Sequence, residues 1–444
     1  MKTAKTTIFT TFLVALTVSC SCGKESSGDG RQDGVVLNEF VIGTDGGWVE
    51  IINTSTSDAN TKGLKICLSD DYWYRKPVHD FGKGKLGPGE RMSVKISRED
   101  VDVEKLEELV LTGADGNELD CYGVAAEGDL IDVMPDGSSL ERCPEGTGKW
   151  RIEYVPTPGE AAASLTPSNR NAIWMWARYM KEVDLDELAA KHIGNIVMHE
   201  VAFSNNPVPE VIDFMARAAR KGITVHVWMQ CFYNNGKWIS PVIDSEKRYD
   251  TELFESIAIK GEKYVRYGAG GVHLDYIRFG GTAGRHNINE EVNSVGAVTT
   301  MCRIINERLK ALNPEVVLSA ALMPEPGSEA YYGQNPEQMG EYMDVLIPMI
   351  YRYNEGGSRH SASWAQNVAK FFAEHGAPAE CWAGTTTYSY NGNTPAGLPV
   401  DDLKSDCMDF ENTGATGLVL FRYGLGSIPD LGGIWTDKKY GTDE

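Results

Sequence analysis

Several signatures are missing from this chain. There is no CxxC pair, no HxH pair, and no apolar run beyond residue 19 that approaches the roughly 20 residues a spanning helix needs. Cys67, Cys121, Cys143, Cys231, Cys302, Cys381 and Cys407 are odd in number and lack histidine at zinc spacing, so neither a metal cluster nor a disulfide framework is indicated. A bridge such as Cys121 to Cys143 stays open for an oxidising compartment. Positive charge is scarce as well. The formal net charge is -21, and it falls by two more if Lys2 and Lys5 leave with a leader. Such a surface repels nucleic acid and anionic lipid and favours neutral substrates or partners.

What is present begins with MKTAKTTIFTTFLVALTVS, residues 1 to 19, two lysines followed by a short apolar stretch, which reads as a secretory signal. The following CSCGKESSGDGRQDG, with Leu16, Val18 and Ser19 before Cys20, resembles a loose bacterial lipobox in which Thr17 stands where leucine is usual. The resemblance implies cleavage before Cys20 and lipidation of its thiol, with Cys22 the weaker choice. The mature protein would then be exported and held by acyl chains on the cell envelope, at the outer membrane, the cell surface or the periplasmic face. Residues 20 to 32 would be a lipidated linker.

From residue 33 to 165 short alternating runs are separated by turn chemistry: VVLNEFVI, TDGG, WVEIIN, KGLKICLSDD, LGPGE, RMSVKI, LEELVLT, GADGNE, LDCYGV and PDGS. Brief strands punctuated by Gly, Asp, Asn and Pro about every ten residues predict an all-β sandwich. LNEF at 37 to 40, GGWVEIINTS at 46 to 55, LSDD at 68 to 71, LGPGE at 86 to 90, RCPEGTGKW and TPGEAA at 157 to 162 resemble a lamin tail domain in order and spacing. That resemblance implies an immunoglobulin-like fold serving as spacer or adhesive module. Glu39, Glu50 and Asp70 read as turn or solvent-face acids.

Beyond LTPSNR at 165 to 170 the period lengthens. NAIWMWA (171 to 177), NIVMHEVAF (195 to 203), ITVHVWMQCFY (223 to 233), GVHLDYIRF (271 to 279), VVLSAALMPE (316 to 325), DVLIPMIYRY (344 to 353), CWAGTTTYSY (381 to 390) and GLVLFRYG (417 to 424) are eight candidate strands. Helical stretches such as VPEVIDFMARAARKG and VTTMCRIINERLKALNP lie between them and close on Gly or Pro. Eight βα repeats over residues 166 to 444 predict a TIM (β/α)8 barrel, so the chain is multidomain. A doubly wound sheet is the alternative, but no GxGxxG or GxxxxGK[ST] follows the first strand, and no cofactor is implied.

Such barrels assemble chemistry at the C-terminal strand ends. Glu200, Gln230, Asp275, Glu325, Tyr351, Tyr388 and Arg422 stand there, with aromatics crowding the same rim, among them Trp174, Trp176, Trp228, Tyr233, Trp238, Tyr276, Tyr332 and Trp382. Aromatic faces suit the C–H faces of sugar rings. Cleaving a glycosidic bond needs one protonated and one ionised carboxyl. Asp275 is the candidate for the ionised group, on the same strand face as His273 and kept charged by Arg278. Glu325, between Pro324 and Pro326, is the candidate proton donor, and Glu200 competes for that role. Trp176, Trp228, Gln230, His273, Tyr276, Arg278, Tyr351, Tyr388 and Arg422 are the candidate sugar contacts. His199, His226 and His273 lie on separate strands, which disfavours a metal-dependent hydrolase.

GVHLDYIRF, LSAALMPE, YGQN at 332 to 335, DVLIPMIYRYN, WAGTTTY and GLVLFRYG, in that order, resemble uncharacterised glycoside hydrolase-like proteins of bacteria and archaea. The resemblance implies a glycoside hydrolase-type barrel with Asp275 in its strand-four acidic position and Glu325 at the LSAALMPE strand end. Gly280 departs from it, since relatives often carry proline after the aromatic. The expectation is therefore a lipoprotein that cleaves O-glycosidic bonds in an extracellular polysaccharide or glycoconjugate. The competing readings are a non-catalytic glycan-binding lipoprotein and a cell-envelope adhesion or scaffold protein.

Overall fold

The computed structural model describes residues 34–43, 45–71, 74–100, 106–162 and 169–435, so the expected leader, Cys20 and Cys22 lie outside the described residues. Beside a short pair formed by Ala59–Asn60 and Lys85–Leu86, nine antiparallel strands build the two main sheets of the first unit. They are β1 (Val35–Gly43), β2 (Gly46–Asn53), β3 (Lys65–Asp71), β4 (Tyr74–Asp80), β5 (Arg91–Ile96), β6 (Glu108–Thr112), β7 (Glu118–Gly123), β8 (Ser139–Cys143) and β9 (Lys149–Glu153). They make two sheets, ordered β9-β8-β1-β2-β5 and β4-β3-β6-β7. Alternation along the strands turns one face of each sheet inward. Phe40, Tyr122 and Trp150 meet edge to face in the core with centroids 4.9, 5.2 and 5.4 Å apart.

The other face of the larger sheet departs from the sequence expectation. Glu39 lies opposite both Glu50 and Glu141, and all three are buried, as is Glu153. The cause is the chain that leaves β9. Its backbone N–H groups run across the glutamates, Thr157 onto Glu39 at 3.3 Å and Gly159 onto Glu50 at 2.6 Å. Glu39 and Glu50 are thus interior acids, and not the solvent-face acids that turn chemistry suggested. The side chain of Asp70 lies outside the described residues. No disulfide joins Cys121 to Cys143, whose thiol points instead at Asn313 Oδ1, 3.6 Å away.

The second unit is a closed barrel of eight parallel strands, each an apolar run bounded by turn residues. These are β10 (Asn171–Met175), β11 (Asn195–His199), β12 (Thr224–Gln230), β13 (Gly271–Asp275), β14 (Val317–Leu322), β15 (Val345–Pro348), β16 (Glu380–Thr386) and β17 (Gly417–Phe421). β17 pairs with both β16 and β10 and so closes the ring. All eight predicted strands form, each shorter at its C-terminal end than its apolar run. Crossover helices follow seven of them: α1 (Leu185–Ala190), α2 (Val208–Ala219), α3 (Thr251–Arg266), α4 (Ser294–Leu312), α5 (Pro336–Gly340), α6 (Ala362–His375) and α7 (Val400–Met408). Asp184, Asp250, Asn293, Asn335 and Ser361 cap five of these by accepting first-turn N–H groups.

The sandwich is seated on the closed end of the barrel, where α2 and α3 finish. Arg266 donates to the Trp150 carbonyl at 3.0 Å, and Arg220 to the Asp136 carbonyl at 2.7 Å. The Tyr154 hydroxyl donates to the Tyr267 carbonyl. Gly268 follows at φ +89°, and a Cβ there would lie 2.6 Å from the Tyr154 ring. Only glycine tolerates both that backbone and that contact.

Candidate active site

Inward-facing residues fill the barrel in layers. At the closed end His226 and Trp382 occupy the axis because their neighbours have no side chain. A Cβ on Gly271 would lie 2.1 Å from His226 Nδ1, and one on Gly417 2.5 Å from the Trp382 ring. In the middle layer Trp174 Nε1 donates to His273 Nε2 at 3.3 Å, while His273 Nδ1 bonds Ser319 Oγ at 2.9 Å. An acceptor at Nε2 leaves the proton on Nδ1, so the ring is neutral and donates to the serine. Burial pushes the His273 pKa down to about 3 and that of His226 to about 4.

His273 does share a face with Asp275, as strand alternation requires, but it lies a layer deeper. It is fully buried with both ring nitrogens satisfied, so the expected sugar contact is instead part of the plug. Trp174 and Trp382 are plug residues too.

Above the plug is the mouth. Asp275 ends β13 pointing inward. Its Oδ2 accepts from Trp228 Nε1 at 2.9 Å, and its Oδ1 from the Tyr276 N–H at 2.6 Å. Burial raises its pKa, against the pull of those two donors and of Arg278. The sequence predicts that Arg278 holds Asp275 ionised. Burial thus opposes the ionised form that Arg278 and the two donors favour.

Around it stand aromatics. Trp176 packs on Trp228 and on His199 at 4.9 and 5.0 Å, and Tyr351 stacks on Phe421 at 5.4 Å. Burial pushes the Tyr351 hydroxyl pKa up, and the nearby charge of Asp275 adds to it. Tyr388 approaches Phe421 at 6.4 Å. Tyr276 adopts φ +52° and stacks on Tyr233 at 4.7 Å, beside Trp238. Gln230 ends β12 half-buried next to Asp275, its register partner. Arg422 follows β17, its N–H bonded to Thr387 Oγ1 at 3.1 Å. His199 and Phe421 were not among the predicted site residues. Counting alternate residues from Val197 and Val419 would have placed both on the inner face.

The two glutamates behave differently from Asp275. Glu200 follows the inward His199 by one residue and therefore faces the helix layer. There it accepts from Lys260 at 2.7 Å, Tyr264 at 3.3 Å and the Gln230 N–H at 2.9 Å. These bonds hold the rim to α3, and the expected competitor for the acid role is a brace. Glu325 lies three residues past the end of β14, exposed in a loop, and its charge is felt by Arg278. Among the described residues no second carboxylate is bonded to Asp275, and no group of three or more His, Cys, Asp or Glu is arranged to hold a metal ion.

No protein-family model and no curated protein matches the chain. Among solved structures it is similar to a class V chitininase from Pseudomonas fluorescens Pf-5, with 12% identity over 58% of this chain and 96% of that one and a TM-score of 0.45. It is similar also to the spore cortex-lytic enzyme SleL of Bacillus cereus, with 13% identity over 63% and 75% and a TM-score of 0.42. A glycoside hydrolase family 18 N-acetylglucosaminidase from Paenibacillus barengoltzii gives 12%, 58%, 95% and 0.42. Likeness at this level concerns the course of the chain, and the residues of this protein must define its chemistry.

Proposed function

We propose that this protein is a glycoside hydrolase of the cell surface, exported and anchored through lipid on Cys20, that cleaves O-glycosidic bonds of an extracellular poly- or oligosaccharide. The observation that carries the reading is Asp275, an inward carboxyl at the strand-end mouth of a (β/α)8 barrel, raised in pKa by burial and ringed by aromatic faces. Its protonated form would donate to the leaving oxygen. Glu325, the other strand-end acid expected from the sequence and felt by Arg278, is the candidate for attack or water activation. The lamin tail-like sandwich serves as the spacer between anchor and barrel.

One observation favours a second reading, a glycan-binding lipoprotein without catalysis: Glu325 is exposed and makes no bond to Asp275. Incubation of the purified protein with a panel of polysaccharides, beside Asp275→Asn and Glu325→Gln variants, separates the two. Release of sugar by the wild type, lost in Asp275→Asn, is the expected result. Retention of glycans without release, unchanged in both variants, would establish the binding protein instead.

A further inference from the structure

The aromatic side of the mouth holds a cation that the proposed cleavage does not use. Arg278 lies under the Trp238 ring, 4.7 Å from its centroid, and against Tyr276 and Tyr332 at 5.5 and 5.4 Å. Gly280 sets this arrangement, because a Cβ there would meet the Trp238 indole at 2.5 Å. The departure from proline that the sequence shows at 280 thus gives the indole its seat. The Phe279 N–H bonds the Tyr332 carbonyl at 2.9 Å and fixes the opposite wall. The guanidinium is held by its faces, which leaves recognition to its edges.

Those edges are poorly occupied. A guanidinium carries five N–H donors. Arg278 spends one on the Phe279 carbonyl at 3.2 Å, and its Nε is buried with no acceptor. Among the described residues no carboxylate stands within ion-pair distance of it, although the charges of Asp275 and Glu325 both reach it. Burial draws its pKa down. Across the ring, at the end of the opposite strand, Arg422 repeats the pattern: its Nη1 is buried without an acceptor. In a chain of net charge -21, two half-buried arginines without carboxylate partners at one mouth are an anomaly. A buried cation lacking a counter-ion is costly, and an oxyanion that supplies both charge and acceptors removes that cost.

We infer that Arg278, clamped flat by Trp238, Tyr276 and Tyr332, takes an oxyanionic group on the sugar, so that the glycan bound at this mouth is acidic. This rests on the reading that the mouth meets glycan. It revises the preference for neutral substrates that net charge suggested, since total charge governs approach while contact is governed by the local pair. The shared chemistry is a pair of anionic oxygens on one centre, matched to the guanidinium fork, from a planar hexuronate carboxylate or a tetrahedral sulfate ester.

The test uses the full chain and a panel of paired glycans: uronate polymers beside their carboxyl-reduced forms, and sulfated glycans beside their desulfated forms. Affinity electrophoresis reads binding, and product analysis reads cleavage. Charged members are expected to be retained and their neutral partners not, the uronate and sulfate arms telling the two oxyanions apart. Arg278→Met is expected to weaken retention about tenfold to a hundredfold. Arg278→Lys, which keeps charge without the fork, is expected to fall between, and equal melting temperatures check the fold of both. Equal binding of neutral members, unchanged binding in Arg278→Met, or binding of no charged member overturns the inference. Cleavage confined to neutral glycans would overturn it while leaving the hydrolase standing. Acidic glycans bound but never cleaved would uphold it while removing the hydrolase.

Discussion

The indole N–H of Trp228, on β12, donates to the carboxyl of Asp275, on the neighbouring β13, at 2.9 Å. The two residues are inward-facing and stand two register positions apart in the parallel pair, where His273 is the residue opposite Trp228. The bond orients the carboxyl and also opposes its protonation, since it favours the charged form.

Replacing Trp228 by phenylalanine should therefore raise the Asp275 pKa further. If Asp275 is the proton donor, activity falls as it ionises, so the alkaline limb of the pH profile should move to higher pH in Trp228→Phe. A pH–rate profile of sugar release checks this, and an unmoved limb would mean that another group titrates there.

Glu200 and Glu325 separate by the same logic of placement. Glu200→Gln loses a part-exposed bond to Lys260 and loosens the rim, which should cost about 1 kcal/mol of stability and leave turnover within several-fold of wild type. Glu325→Gln should leave the melting temperature unchanged and lower turnover by roughly a hundredfold or more. Thermal melts with initial rates on both variants read the contrast.

Gly271 tests the barrel plug. With His226 Nδ1 2.1 Å from where its Cβ would be, Gly271→Ala overpacks the closed end and should cost about 1 to 3 kcal/mol in denaturant unfolding. Gly82→Ala, whose Cβ would meet nothing within 4 Å, is the control and should change little.

The glutamate row of the sandwich predicts a pH effect of definite sign. Burial raises Glu39 and Glu141 to about 7, and Glu50 and Glu153 upward as well. Folded-state pKa values above the ordinary carboxylate range mean a contribution fully present below about pH 4.5 and lost as pH rises through about 7. The sandwich should melt at lower temperature at pH 8 than at pH 5. Glu39→Gln should raise the pH 8 melting temperature and change the pH 5 value little, as differential scanning calorimetry would show.

Much of this architecture was legible in the sequence because a parallel barrel strand is buried on both sides and reads as an unbroken apolar run. Asp275 was legible for the complementary reason: a carboxylate closing such a run stands out. Glu200 misled because strand-end position was read without parity. The inward His199 beside it already assigned Glu200 to the helix side. Glu325 follows Pro324 beyond the last paired residue, so no strand period governs where it points. The buried glutamates of the sandwich were illegible for a different reason, since the chain that covers them comes from more than a hundred residues away.

A sandwich seated at the closed end acts as a pedestal. Among the described residues the sandwich leaves the rim uncovered, so under the proposed reading a long polymer would be free to lie across the opening from either side and be met in mid-chain. The same module placed at the rim would have walled off one direction and confined the protein to polymer ends.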